Sequence, residues 1–273
     1  MVKKLFQPKG FALLASLLLC SLCTAQADEV KLTSVKRLNY LNSQPTISII
    51  IDDMGYRLKT GKRAIDLPGE LTYSFLPHAP HVNSLSMRAY DKNKEIMLHL
   101  PMQTEDGRKL GPGGLTENLS EEKFQRILSS SINAIPFARG FNNHMGSELT
   151  KNQLLMKRLM QQVASNNNLF FVDSKTTSRS VAFQVARQEG LRSIQRDIFI
   201  DHELSATFIE KQLKKLIRMA QVTGSALAIG HPKTLTIAIL EKWLPTLEEK
   251  GIRLVSVSKL IELRQERTFA LLK

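Results

Sequence analysis

From residue 47 onward the chain alternates short apolar runs with polar turns and amphipathic stretches. The runs fall at 47–51, 71–76, 95–101, 138–144, 169–173, 194–201, 226–231 and 252–257. Several are continuous and rich in Ile, Val, Leu and Phe, as strands covered on both faces are. Between the runs the period lengthens. Residues 207–223 set Phe208, Ile209, Leu213, Leu216, Ile217 and Ala220 on one side of a 3.6-residue repeat, with Lys211, Lys214, Lys215 and Arg218 on the other. Residues 150–167 and 234–250 read as further helices, the second stopping at Gly251. Ser120-Glu121-Glu122 offers a helix an N-cap and early acids.

Strand and helix alternating about eight times predict parallel strands joined by crossover helices. A closed or nearly closed (β/α)7–8 barrel fits that count better than an open doubly wound sheet, which stays as the alternative. No linker-like composition follows residue 46 and no repeat is visible. The expectation is one α/β domain over 46–262, with a polar linker at 28–45 before it and a tail at 263–273 after it. At 273 residues and 42% hydrophobic content the chain can build a sizeable core. Beyond residue 27 no run approaches the ~18 apolar residues of a membrane span.

Residues 1–27 have another character. Lys3, Lys4 and Lys9 precede a short apolar run at 11–23, and Ala25-Gln26-Ala27 places small residues at the −3 and −1 positions of a cleavage site. This is the pattern of a secretory signal peptide, cut between Ala27 and Asp28, and it predicts a periplasmic or secreted protein. Cleavage removes Cys20 and Cys23, leaving 246 residues without cysteine. Disulfides, thiolate metal sites and a cysteine nucleophile are thereby excluded. Net charge falls from +13 to +10 as three lysines leave. Such a surface favours anionic envelope partners, phospholipid or acidic polymer, over no partner at all only by charge. Nucleic acid is disfavoured by the leader and by the lack of a basic tract interleaved with aromatics.

Polar residues gather at the carboxyl ends of the runs: Asp52-Asp53, His99, Asn142-Asn143-His144, Asp173-Ser174, Arg196-Asp197 with Asp201, and His231. In a parallel α/β barrel those ends share one face, where active sites form. Two imidazoles and one carboxylate make a ligand set for Zn²⁺ or another first-row divalent ion, with positions left open for water and substrate. A second carboxylate can then act as base and a further histidine as acid. Adjacent Asp52 and Asp53 can divide those tasks only if the chain leaves strand geometry, since a regular strand points them to opposite faces. Taken singly, Asp-Asp at a strand end is more often a turn feature, and a lone histidine there more often structural. His78 and His81 lie in a proline-punctuated loop, and they and His202 read as structural. Arg108-Lys109 and the glycines at 111–114 read as a lip beside the site rather than a phosphate cradle. No Gly-x-Ser-x-Gly elbow is present. A glycosidase pairing Asp52 with Asp173 or Asp201 is the weakest reading, because it leaves the histidines unused.

In this order the motifs Ile-Ser-Ile-Ile-Ile-Asp52-Asp53-Met-Gly, Met-Leu-His99-Leu-Pro-Met-Gln, Asn-Asn-His144-Met-Gly-Ser, Phe-Phe-Val-Asp173-Ser174 and Ala-Ile-Gly-His231-Pro resemble the divergent polysaccharide deacetylases. These are exported bacterial proteins related to the NodB-like deacetylases, and the resemblance runs from about Ile47 to Leu260. It implies a distorted (β/α) barrel and a metal-dependent deacetylase acting on an N-acetylated polysaccharide or peptidoglycan-like polymer. It implies Asp52 as base, Asp53 as metal-ligand carboxylate and His231 as acid. His99 lacks the second histidine that standard deacetylases carry three or four residues on, where Gln103 and Thr104 stand. His144 is therefore expected to supply the second imidazole, and Asp173 to orient a histidine. The Arg-x-Pro-Tyr motif of standard deacetylases is missing. The alternative is a deacetylase-fold protein without turnover that binds glycan or an envelope partner.

Overall fold

A computed structural model describes residues 44–166 and 168–272, so the expected leader and all but the end of the expected linker lie outside the described residues. Gln44–Arg264 form one compact unit. Its strands are β1 (Thr46–Met54), β2 (Thr72–Phe75), β3 (Glu95–Met102), β4 (Gly140–Met145), β5 (Phe170–Asp173), β6 (Ser193–Gln195), β7 (Ile198–Phe199), β8 (Ser225–Gly230) and β9 (Arg253–Leu254). Between and after them run α1 (Leu58–Ile65), α2 (Val82–Asp91), α3 (Glu121–Asn133), α4 (Gln153–Asn166), α5 (Ala182–Gln188), α6 (Ala206–Thr223), α7 (Thr234–Trp243) and α8 (Val257–Leu272). No described helix is long and apolar enough to cross a membrane.

Every pairing among these strands is parallel, in the order β6-β5-β4-β3-β2-β1-β8-β7, with β9 alongside the start of β1. The two ends of that order are consecutive in sequence. Only Arg196 and Asp197 separate β6 from β7; the Arg196 amide still donates to Asp173 O on the β5 side (2.9 Å), while the Asp197 amide donates to Leu227 O on the β8 side (3.0 Å). The run at 194–201, expected as one strand, is thus two, and the chain itself carries the curled sheet from one edge to the other. This is the expected distorted (β/α) barrel.

Strand alternation sorts the core into two layers. Ile47, Ile49 and Ile51 face the surrounding helices with Ile96, Leu98, Leu100 and Phe171. Ile50, Met97, Phe170, Val172, Leu227 and Ile229 form a separate inner cluster that fills the barrel, together with Val257, Leu260 and Ile261 from the start of α8. That first turn plugs the amino-terminal mouth. Buried Glu95 receives the Val257 amide (2.8 Å), the Ser258 amide (3.2 Å) and Thr72 Oγ1 (2.8 Å), so a carboxylate meets the free N–H groups of the helix start. The helix then runs on through residues expected as a tail. Just before that helix, the apolar pattern predicting a helix over 234–250 is cut by Pro245: α7 stops at Trp243 and a 3₁₀ turn, Leu244–Thr246, follows.

Gly140 shows how closely the inner layer packs. It pairs with Phe170, and a Cβ there would lie 2.3 Å from the Phe170 ring. Gly140→Ala is expected to destabilise the fold by about 1–3 kcal/mol through overpacking. A urea melt with an unchanged midpoint would contradict this packing.

Candidate active site

The same alternation delivers polar side chains to the carboxyl-terminal mouth. Ser48, Ile50 and Asp52 follow one another on the lumen side of β1, and Glu95, Met97 and His99 do so on β3. Asn142 and His144 on β4 and His231 just after β8 complete the ring. On β1 and β3 the lumen side is apolar at mid-strand, at Ile50 and Met97, and polar at the carboxyl end, at Asp52 and His99.

Asp53 reaches the site by breaking the alternation. The β1–β2 register shifts between Ile51 and Met54, and Asp53 adopts φ 56° with Gly55 following at φ 117°. A bulge with a left-handed residue re-aims a side chain, and Asp53 consequently sits beside Asp52 at the mouth. Asp, with its short polar side chain, tolerates that conformation better than most residues.

Asp53 Oδ1 lies 3.0 Å from His144 Nδ1 and 3.2 Å from His99 Nε2, and these two nitrogens are 3.1 Å apart. Asp52 Oδ2 is 3.7 Å from His99 Nε2, and His231 Nε2 is 3.8 Å from Asp53 Oδ2. Metal–ligand bonds of about 2.0–2.1 Å would separate neighbouring donor atoms by roughly 3.3 Å in a tetrahedron and about 2.9 Å in an octahedron. The observed triangle falls between those values, and among the described residues this is the one grouping that could hold a metal ion.

The hydrogen bonds around the triangle fix its chemistry. The Asn142 amide nitrogen donates to Asp52 Oδ1 (2.9 Å), Asp52 Oδ2 (3.1 Å) and Ser174 Oγ (3.1 Å). Its carbonyl oxygen therefore faces the other way and accepts from Ser74 Oγ (2.6 Å) and His99 Nδ1 (2.8 Å). A flipped amide would set its oxygen against a carboxylate. Since that oxygen can only accept, His99 carries its proton on Nδ1 and turns a lone pair on Nε2 toward Asp53 and His144. Asp53 Oδ1 is buried and receives no well-angled hydrogen bond. A proton on His144 Nδ1 bridges at most one of its two neighbours, whereas a cation satisfies all three donor atoms. The residues fit a divalent metal ion.

Burial raises the Asp52 carboxyl pKa above its ordinary value, and this outweighs the opposing pull of His99, His231 and Asn142. Burial acts on Asp53 in the same sense but loses to its contacts with His144 and His99, which hold this carboxyl well below the usual carboxylate range. Burial alone would lower His231; the hydrogen bond and charge of Asp201 win, and the imidazole pKa is raised. Two neighbouring carboxyls thus behave oppositely, one kept ionised and one poised nearer neutrality.

Asp201 is the partner that residue types alone did not assign to His231. Fully buried, it accepts from His231 Nδ1 (2.8 Å), from the His231 amide (2.9 Å) and from Thr236 Oγ1 (2.8 Å). The Phe199↔Ile229 register of β7 and β8 carries two residues further to bring 201 beside 231. Asp173 is a correction. It meets no histidine among the described residues; it accepts from the Lys175 amide (2.8 Å) and Ser180 Oγ (2.7 Å) and holds the loop after β5. The reason is parity: Phe170 and Val172 face the lumen, so Phe171 and Asp173 face the helices. Asp173 and Asp201 are both occupied and neither lines the cleft, so the glycosidase pairing loses both of its candidate second acids. His78 and His81 stand apart from the triangle, whereas His202 does line the cleft. Asn142 was visible only as a neighbour of His144, and its central position has no signature in the sequence.

Asp201→Asn tests the charge at His231. Loss of the negative charge lowers the imidazole pKa, so any rate requiring protonated His231 falls off at lower pH than in the wild type. The expected result is a His231 titration displaced toward acid, read by NMR of the imidazole; an unmoved midpoint would exclude Asp201 as the cause of the raised value.

Residues 49–261 match the model of the divergent polysaccharide deacetylase family. An uncharacterized protein of Haemophilus influenzae is 36% identical over 218 residues, covering 80% of this chain and 77% of that protein. Among solved structures, an uncharacterized protein of Agrobacterium tumefaciens superposes with a TM-score of 0.76 at 24% identity, over 80% of this chain and 89% of that one. A mutant described as a CE4 family pseudoenzyme with restored enzymatic activity superposes at 0.50 and 14% identity, over 80% and 68%. The two structures share the fold.

Proposed function

Because this chain belongs to the divergent polysaccharide deacetylase family, we propose that it is an exported, metal-dependent hydrolase that removes acetyl groups from an N-acetylated envelope polysaccharide. The observation carrying this reading is the triangle of Asp53, His99 and His144 with Asp52 beside it. Those three residues would hold Zn²⁺ or another first-row divalent ion, which supplies a water of lowered pKa and polarises the acetamide carbonyl. Asp52, fixed by Asn142, takes a proton as water adds to the carbonyl carbon. His231, kept protonated by Asp201, gives its proton to the nitrogen as the C–N bond breaks. Acetate and a free amine are the products. Asn142 sets the His99 tautomer and the Asp52 orientation in one step, so it is a positioning residue.

The leader of residues 1–27 would direct the chain out of the cytoplasm, and the basic mature surface suits anionic envelope polymers. A zinc-loaded chain beginning at Asp28 should release acetate from N-acetylglucosamine oligomers or from peptidoglycan. A second reading, glycan binding without turnover, is favoured by one feature: the second imidazole comes from a neighbouring strand rather than from the His99 segment. Saturable glycan binding with no acetate from any N-acetylated polymer would establish that reading in place of the first.

A further inference from the structure

Two depressions meet at the candidate centre. One of about 500 Å³ and one of about 830 Å³ are both lined by Asp53, His144 and His231. Both depressions open at the centre, so a polymer seated there can touch protein in each. The two arms differ. The larger is lined by Tyr56 and Leu204, 48% and 56% exposed, a surface suited to the apolar face of a sugar ring, with Arg57 and Lys233 beside them.

The smaller arm carries Arg108, Lys175 and Arg196 together with Asp52, Asp53 and Asp106. Arg108 there is matched by Asp106 at 2.7 Å, but Arg196 is not matched. Its Nε donates to Ser174 O (2.6 Å) and its Nη2 to Lys175 O (2.8 Å), both neutral main-chain groups, and its guanidinium lies over the Phe199 ring at 4.8 Å. Two of five N–H donors are thus used. The carboxylates around it are held elsewhere: Asp52 by Asn142, Asp173 by the Lys175 amide and Ser180, and Asp197 by Arg264 at 2.7 Å. The exposed Lys175 stands on the same loop and lines the same arm. Those carboxylates balance the guanidinium's charge from a distance, while its remaining N–H groups are left for a ligand's oxygens in the cleft. Planar guanidinium donors match carboxylate and phosphate oxygens.

We propose that Arg196 and Lys175 bind an anionic substituent, a carboxylate or a phosphate, on the sugar adjoining the one that loses its acetyl group. The substrate class is then an acidic N-acetylated polysaccharide rather than a neutral chitin-like one. The inference rests on the deacetylase reading for the identity of the adjoining sugar.

The test compares three oligosaccharides on the zinc-loaded mature protein: an N-acetylglucosamine tetramer, a tetramer alternating N-acetylglucosamine with glucuronate, and a 6-phosphorylated N-acetylglucosamine tetramer. Wild-type kcat/KM is expected to be at least tenfold higher on one of the acidic pair, which also tells carboxylate from phosphate. Arg196→Gln should erase that preference through KM. Lys175→Gln, on an exposed loop, should weaken it severalfold even if Arg196→Gln fails to fold. Equal rates on all three, or variants that slow acidic and neutral substrates alike, would overturn the proposal. Calorimetric binding of the same oligomers separates the two readings. Tighter binding of an acidic oligomer, lost in the variants, upholds the anion site even if no acetate is released; absence of acetate alone counts only against turnover.

Discussion

His144→Ala protein is expected to retain less than about a tenth of a zinc ion per chain after gel filtration, against about one in the wild type, and to release no acetate above background. The side chain supplies one of the three donor atoms that converge among the described residues, 3.0 Å from Asp53 Oδ1 and 3.1 Å from His99 Nε2. Three protein ligands plus water is the usual complement of a catalytic zinc, so removal of one leaves a site with too few donors for tight binding. Zinc held stoichiometrically by the variant would refute this ligand set. The site also makes metal binding pH-dependent. Asp52 and Asp53 together raise the His99 pKa against its burial, so the imidazole holds its proton more tightly than usual. Zinc must displace that proton, and affinity should fall as pH drops through the range where His99 is protonated.

Asp52→Asn should show the opposite pattern, with zinc retained and turnover lost. Asn keeps the size of the side chain, and Asp52 lies outside the triangle, 3.7 Å from His99 Nε2. Positioned general bases contribute about 10²–10⁴-fold, and kcat is expected to fall by that factor. The wild-type pH profile carries the same signature. Asp52 must be ionised to accept a proton, and burial has raised its pKa. In the metal-free protein Asp52 should therefore titrate above the ordinary aspartate value near 3.9; in the zinc-loaded protein activity rises with pH as Asp52 ionises, then declines as His231 loses its proton. Acetate release by Asp52→Asn within a few-fold of wild type would remove Asp52 from the mechanism, and a variant lacking zinc would make it a ligand.

Much of this arrangement is written locally. The apolar runs announce strands, and their carboxyl ends carry Asp52, His99, His144 and His231, because a parallel barrel puts reactive groups where strands stop. Other features depend on distant partners. Nothing in Ile51-Asp52-Asp53-Met54 signals the bulge, which arises as β1 changes register against β2. Asp201 and His231 are thirty residues apart in the chain and meet only through the pairing of β7 with β8. The run at 194–201 divides because its first half pairs with β5 and its second with β8. Asp173 sits at a strand end like the others, but the parity of β5 turns it toward the helices. Asn142 becomes a hub only once Ser74, His99, Asp52 and Ser174 have been assembled from four further segments. Pro245 was readable, and an apolar period that continued past it masked the break.

Three atoms from three places in the chain define the candidate metal centre. Crystals of the mature protein grown with Zn²⁺ and measured across the zinc absorption edge address it without reference to any substrate. A single strong anomalous peak per chain is expected about 2.0–2.2 Å from Asp53 Oδ1, His99 Nε2 and His144 Nδ1. A peak elsewhere, or none between these side chains in protein carrying one zinc per chain, would contradict it.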